Sequence, residues 1–164
     1  MTKELGVAMI GYAFMGAAHS QGWRTAPHFF DLPLKPVMRV VAGRNKDGVE
    51  AAAEKLCWEE ASSDWRSRLD RDDIVLFDIC TPGDSHKEIA LAALAAGKHV
   101  LCEKPLANSV GEAEEMAAGA QQAWDEHGTV AMVGFTYRRL PAAQLAKKLI
   151  ADGGPANGGG MGGM

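Results

Sequence analysis

Five apolar runs of strand length recur along the chain: LGVAMI from Leu5, VMRVVAG from Val37, IVLFDIC from Ile74, HVLC from His99 and TVAMVGF from Thr129. They are apolar nearly throughout instead of alternating, the pattern of strands covered on both faces in a parallel sheet. Between them the apolar positions recur with the longer period of amphipathic helices. Helices are predicted near 14–26, 47–57, 85–96 and 109–126, with shorter ones at 64–70 and 141–151. Two starts carry an S-x-x-E capping box, Ser85 with Glu88 and Ser109 with Glu112, in which hydroxyl and carboxylate can satisfy the first free amides of a helix. Strands alternating with helices predict a doubly wound α/β domain with a parallel sheet over residues 1–152. Residues 153–164 are mostly glycine, lack apolar periodicity and are expected to form a disordered tail.

The chain has 164 residues and a formal net charge of −4. That length suffices for one sizeable core. Lys and Arg are dispersed and form no basic stripe of the kind that neutralises phosphates, so nucleic acid is not an expected partner. No apolar run approaches the roughly 20 residues of a bilayer span. The start, MTKELGVAMIG, lacks the apolar stretch and cleavage site of a signal peptide, so no membrane partner and a cytoplasmic location are expected. Cys57, Cys80 and Cys102 are odd in number and lack C-x-x-C spacing, which indicates neither disulfides nor a metal site. They are expected to be core thiols.

In a doubly wound sheet, ligands bind beyond the carboxyl ends of the strands, so the residues after each strand are the candidates for chemistry. After the first comes GYAFMGAAHS, with Gly11, Ala13 and Gly16 at the three positions of a G-x-G-x-x-G/A dinucleotide fingerprint and Phe14 and Met15 between them. The first glycine allows the tight turn, the middle position allows close approach of a pyrophosphate, and Gly16 allows the helix to pack on the sheet. The helix amino terminus then offers amides and a favourable dipole to the phosphates. The second strand ends in VVAGRN, without the Asp or Glu that binds ribose hydroxyls in NAD-preferring sites. Arg44 could pair with a 2′-phosphate or stack on adenine, tilting the expectation toward NADP over NAD, with Asn45 beside it. The other reading makes Arg44 a solvated cation and Asn45 the start of the next helix. At the third end, CTPGDSHKE, Thr81 and Pro82 form a turn and His86 falls in a first helical turn on the cleft side, as a cofactor-side contact or a structural residue. At the fourth, HVLCEKPLANS, Lys104 follows Glu103 and precedes Pro105. Its ammonium could donate to a substrate hydroxyl and stabilise alkoxide character during hydride loss. Glu103 could hold the lysine or face solvent, and the bland alternative is an exposed ion pair.

Together GYAFMGAAHS, DICTPGDSHKEIALAALAAGKHVLCEKPLANS and AMVGFTYRR resemble the amino-terminal half of the Gfo/Idh/MocA family, from about Leu5 to Gly153. The resemblance implies a Rossmann-type domain and enzymes that use NAD or NADP to oxidise or reduce sugars, inositols and related polyols. The family's G-x-G-x-M-G turn falls on Gly11, Ala13, Met15 and Gly16, departing at Ala13. Its E-K-P motif falls on Glu103, Lys104 and Pro105, which makes Lys104 the implied catalytic lysine. Its crevice-lining segment falls on Phe135 to Arg139, implicating Tyr137 and Arg138 in contact with cofactor or substrate. Family members continue into a second α/β domain that contributes an Asp and a His, where this chain turns to its glycine-rich end. The resemblance thus implies the cofactor half of a dehydrogenase, catalytically incomplete by itself. The alternative is a non-catalytic nucleotide-binding module, of regulatory or coenzyme A type, whereas an adenosylmethionine site of similar architecture would leave the Lys104 motif without a role.

Overall fold

The computed structural model describes residues 3–153. Among these, β1 (Glu4–Ile10), β2 (Lys35–Ala42), β3 (Glu60–Ser62), β4 (Leu76–Ile79), β5 (His99–Cys102) and β6 (Ala131–Val133) form one sheet in the order β3-β2-β1-β4-β5-β6. Every pairing is parallel. The crossovers are α1 (Phe14–Phe29), α2 (Lys46–Leu56), α3 (His86–Ala95) and α4 (Val110–His127). This is the Rossmann strand order, and the parallel sheet with its crossover helices bears out the doubly wound α/β domain expected from the apolar runs.

Alternate strand residues enter two cores on opposite faces, as the twofold period of a strand requires. Ala8 and Ile10 join Val40, Phe77 and Ile79 against Ile89, Ala93 and Leu94 of α3 and Met116 of α4. Val7 and Met9 join Val41 against Val49 and Ala53 of α2 and against Trp58. Because both faces are covered, both sets of positions are apolar nearly throughout, Asp78 in β4 being an exception.

The structure departs from the expected elements in a few places. The expected strands are present, but β3 is added at the sheet edge, pairing Glu60–Ser62 with the end of β2. Its sequence, EAS, is too short and polar to register as an apolar run. The helix predicted at 64–70 is a single 3-10 turn, Arg66–Arg68. The capping box at Ser109 forms: its Oγ accepts the Glu112 amide at 3.2 Å, while the Glu112 carboxylate accepts from Asn108, one residue earlier than the box places it. The box at Ser85 does not form. Ser85 ends a 3-10 turn (Gly83–Ser85) in a helical conformation, and its hydroxyl donates backward to Thr81 Oγ1 at 2.8 Å and to Pro82 O at 2.9 Å. Glu88 instead pairs with Arg66. Cys80 and Cys102 are buried as expected, whereas Cys57 is exposed at the left-handed end of α2.

Internal packing divides the chain after Gly134. The second unit begins with a 3-10 turn, Thr136–Arg139, followed by α5 (Pro141–Ala151), where Pro141 occupies the first turn and the Gln144 side chain donates to Arg138 O. Beyond Gly153, the tail expected at 153–164 lies outside the described residues. No described helix is long and apolar enough to cross a membrane.

Candidate cofactor and catalytic site

The residue after each strand except β3 is held by the neighbouring strand. Gly43 N donates to Ser62 O at 2.9 Å, Gly11 N to Ala42 O at 2.9 Å, Cys80 N to Ile10 O at 2.8 Å, Glu103 N to Ile79 O at 2.9 Å and Gly134 N to Cys102 O at 2.7 Å. One row of amides therefore aligns the four segments singled out above along the carboxyl edge. Strand order reverses between β1 and β4, and there a crevice of about 580 Å³ opens. Gly11, Ala13, Arg44, Asn45, Thr81 and Pro82 all line it.

The glycine positions are dictated by close approach. Gly11 has φ +100, and a Cβ there would meet the Cys80 carbonyl carbon at 2.9 Å. A Cβ on Gly16 would run into the Gly11 carbonyl, so α1 starts this near the turn only because position 16 has no side chain. Ala13 is exposed and is the N-cap of α1, with no side-chain cap on the helix amides. The cradle is thus open to an anionic group at the point where α1 begins. Of the two residues between, Phe14 is exposed, whereas Met15 packs into the core on the α2 face.

At the β2 end, the Tyr12 ring lies on Gly43 and Gly48, filling the room that a side chain at position 43 would take. Position 43 therefore has no room for a carboxylate side chain while the Tyr12 ring lies there. Arg44 is exposed in the crevice, and Asn45 caps α2 by accepting the Gly48 amide at 2.7 Å. Tyr12, Asp64, Trp65 and Arg66 also line the crevice and were not expected there. The Arg66 guanidinium stacks 4.4 Å from the Trp65 ring centre. Asp64, Trp65 and Arg66 follow β3, so missing that strand hid them.

His86, expected on the cleft side, is buried. Its Nδ1 lies 2.9 Å from Pro105 O and its Nε2 2.8 Å from Thr81 O, so it ties the third strand end to the E-K-P turn. Glu103 neither faces solvent nor holds the Lys104 ammonium. It is 4% exposed, its Oε2 accepts the Lys104 amide at 3.1 Å, and its Oε1 lies 3.1 Å from His19 Nε2. Lys104 itself is exposed, forms no ion pair among the described residues, and precedes Pro105 through a cis peptide.

Residues 5–135 match the family model described as oxidoreductase family, NAD-binding Rossmann fold, of Gfo/Idh/MocA. The chain belongs to the Gfo/Idh/MocA family. Levoglucosan dehydrogenase of Pseudarthrobacter phenanthrenivorans is 45% identical over 152 residues, covering 92% of this chain and 38% of that protein. An oxidoreductase domain protein from Kribbella flavida superposes with a TM-score of 0.87 at 64% identity, over 92% of this chain and 40% of that one. Levoglucosan dehydrogenase in complex with NADH and levoglucosan superposes with a TM-score of 0.83 at 45% identity, over 92% and 40%. The chain therefore spans about two fifths of these relatives' length and carries the NAD-binding Rossmann domain of the Gfo/Idh/MocA family. The family match reaches Phe135; Tyr137 and Arg138 lie in the 3-10 turn of the second unit.

Proposed function

We propose that this chain is the dinucleotide-binding part of an oxidoreductase that moves hydride between a nicotinamide cofactor and a carbinol carbon of a sugar, inositol or related polyol. The observation that supports this best is the shared edge: the glycine turn at Gly11 and the lysine turn at Glu103 begin from the same row of amides, two strands apart. A nicotinamide, when bound, supplies the hydride acceptor. Gly11, Ala13 and the opening amides of α1 suit its pyrophosphate, and Thr81 and Pro82 line the continuation of the crevice across the switch point. Lys104 is the group that donates to the reacting hydroxyl, stabilises its oxygen as negative charge develops, and takes part in moving the proton. Substrate of this class is also what the levoglucosan complex of the 45%-identical relative supports.

Arg44 supports acceptance of NADP, with a tilt toward it over NAD, because it is exposed in the crevice and no carboxylate at position 43 repels a 2′-phosphate. Calorimetric titration of the chain with NADH and with NADPH tests both statements. Saturable binding of either supports the reading, and binding of neither by folded chain overturns it. Arg44→Ala should lower the NADPH:NADH affinity ratio; an unchanged ratio removes Arg44 from the argument. In the complete catalytic protein, Lys104→Ala should leave cofactor affinity unchanged and reduce turnover by about 10²–10⁴-fold, the range for a proton-transfer group.

A further inference from the structure

A cluster of polar side chains with no part in the reading so far lies beneath the carboxyl edge. Asp78 is 0% exposed in the middle of β4 and Glu103 is 4% exposed after β5. His19, one turn into α1 beyond Gly16, lies between them. Its Nδ1 is 3.0 Å from Asp78 Oδ1 and 3.1 Å from Oδ2, and its Nε2 is 3.1 Å from Glu103 Oε1. Trp23, one turn further along α1, donates its indole N–H to Asp78 Oδ2 at 2.7 Å, and the Cys80 thiol lies 3.7 Å from Asp78 Oδ1. The remaining oxygen, Glu103 Oε2, accepts the Lys104 amide. Each carboxylate oxygen thus has a donor within reach, and three of the four lie within hydrogen-bond distance of the one imidazole.

We propose that His19 is a positioning residue for Lys104: by donating from both ring nitrogens it ties Asp78 and Glu103 to the cofactor helix and so fixes the turn carrying the reacting lysine. This rests on the reading of Lys104 given above. Both nitrogens of His19 face carboxylates, and only the imidazolium donates to both. The Asp78 hydrogen bond and the charges of Asp78 and Glu103 hold its proton above the ordinary histidine range against the opposing effect of burial. The groups facing it are Asp78 from β4, Glu103 after β5 and the Trp23 indole from its own helix, with the Cys80 and Cys102 thiols close to the two carboxylates. Burial, with the neighbouring carboxylates, keeps both thiols protonated, pushing Cys102 up to about 12. Gly134 completes the fit, since a Cβ there would stand 2.7 Å from Glu103 Oε1.

His19, Asp78 and Cys80 also have the composition of a metal site. Their geometry speaks against one. The ligand atoms of His19 and Asp78 are spent on each other at hydrogen-bond distance, Trp23 occupies Asp78 Oδ2, and the thiol is held protonated by burial. A metal requires the deprotonated thiolate and a free imidazole nitrogen.

The test is a pH titration of the whole chain by ¹H–¹⁵N spectroscopy, following the His19 ring and the Lys104 amide together. His19 should keep both ring protons above its ordinary range, and the Lys104 amide should shift with the same midpoint. In Glu103→Gln that midpoint should fall. In His19→Gln the Lys104 amide should lose the titration and exchange about tenfold faster, as for loss of one hydrogen bond supported by charge, with the β1 amides unaffected. A Lys104 amide that ignores the His19 titration in the unsubstituted chain overturns the proposal, and requires no variant to fold. Zinc that binds and displaces the ring protons also overturns it. Addition of NADH separates this from the parent reading. If NADH shifts the Lys104 resonances but the His19 midpoint is absent from them, the positioning role fails and the function stands. If the shared midpoint is present but NADH leaves the chain unperturbed, the cofactor reading fails.

Discussion

At the scale of single residues the site is set by where side chains are missing and where charges are buried. Gly16 is the clearest of the first kind. Its missing Cβ is the clearance between α1 and the Gly11 carbonyl, a backbone atom that cannot swing aside. Gly16→Ala should cost about 1–3 kcal/mol, as overpacking does, and weaken NADH binding, measured by urea unfolding and calorimetry on the same preparation. Unchanged affinity would show that the turn is not the phosphate cradle. His19 is the clearest of the second kind. Its folded-state proton affinity is raised above its ordinary value of 6.5, so its contribution to stability is complete below that pH and fades as pH rises through the higher folded value. The stability difference between the unsubstituted chain and His19→Gln should therefore shrink on going alkaline. A difference that grew with pH would mean that the neutral ring is the one the fold prefers. In the sequence the only sign of this cluster is a carboxylate inside the apolar run IVLFDIC, a charge where the pattern demands none. Its histidine partner is 59 positions away, beyond the reach of local pattern.

Elements carry the next level, and there the same four-residue pattern has two outcomes. Ser109 takes up an extended conformation (φ −142, ψ 161) and caps α4, whereas Ser85 (φ −106, ψ −6) is already inside a turn that Thr81 and Pro82 have begun. Ser109→Ala should therefore lose about 1 kcal/mol of stability by denaturant unfolding, the usual worth of an N-cap. Ser85→Ala removes no cap, so its effect should fall instead on the order of the Thr81–Pro82 segment, seen as faster amide exchange at Ser85. Equal losses at both sites would return Ser85 to a capping role. The contrast also marks what a sequence makes legible. Val7 through Ile10 and Phe77 read as buried strand because both faces exclude water, and Gly11 and Gly16 read as a turn because spacing and residue type coincide. β3 did not, because Glu60 and Ala61 owe their strand conformation to pairing with Val40 and Val41 and not to burial of their own. Trp65 and Arg66 in the crevice went unseen for the same reason, since nothing local says that the chain after β3 returns over the carboxyl edge.

Over the whole molecule, the residues that line the crevice run from Ile10 to Ile89 and all belong to the unit that closes at Gly134. The amide row that aligns Gly11, Cys80 and Glu103 also lies within it. Dinucleotide affinity should accordingly be a property of that unit. A polypeptide ending at Gly134, once shown to be folded by far-ultraviolet dichroism, should bind NADH as the chain does. Tyr137→Phe and Arg138→Ala in the chain should likewise leave NADH affinity unchanged. Loss of binding in the shortened polypeptide but not in the point variants would mean that α5 supports the fold of the first unit. Loss in both would bring the second unit into the cofactor site. The division has a physical basis in the parallel sheet. Its ligand edge is assembled from loops that each follow their own strand, and the crevice is lined by the ends of β1 and β2, the segments after β1 to β4, and the start of α3. On the proposed reading, reaction at Lys104 asks more, because a lysine exposed on a turn needs a substrate held against it from its open side.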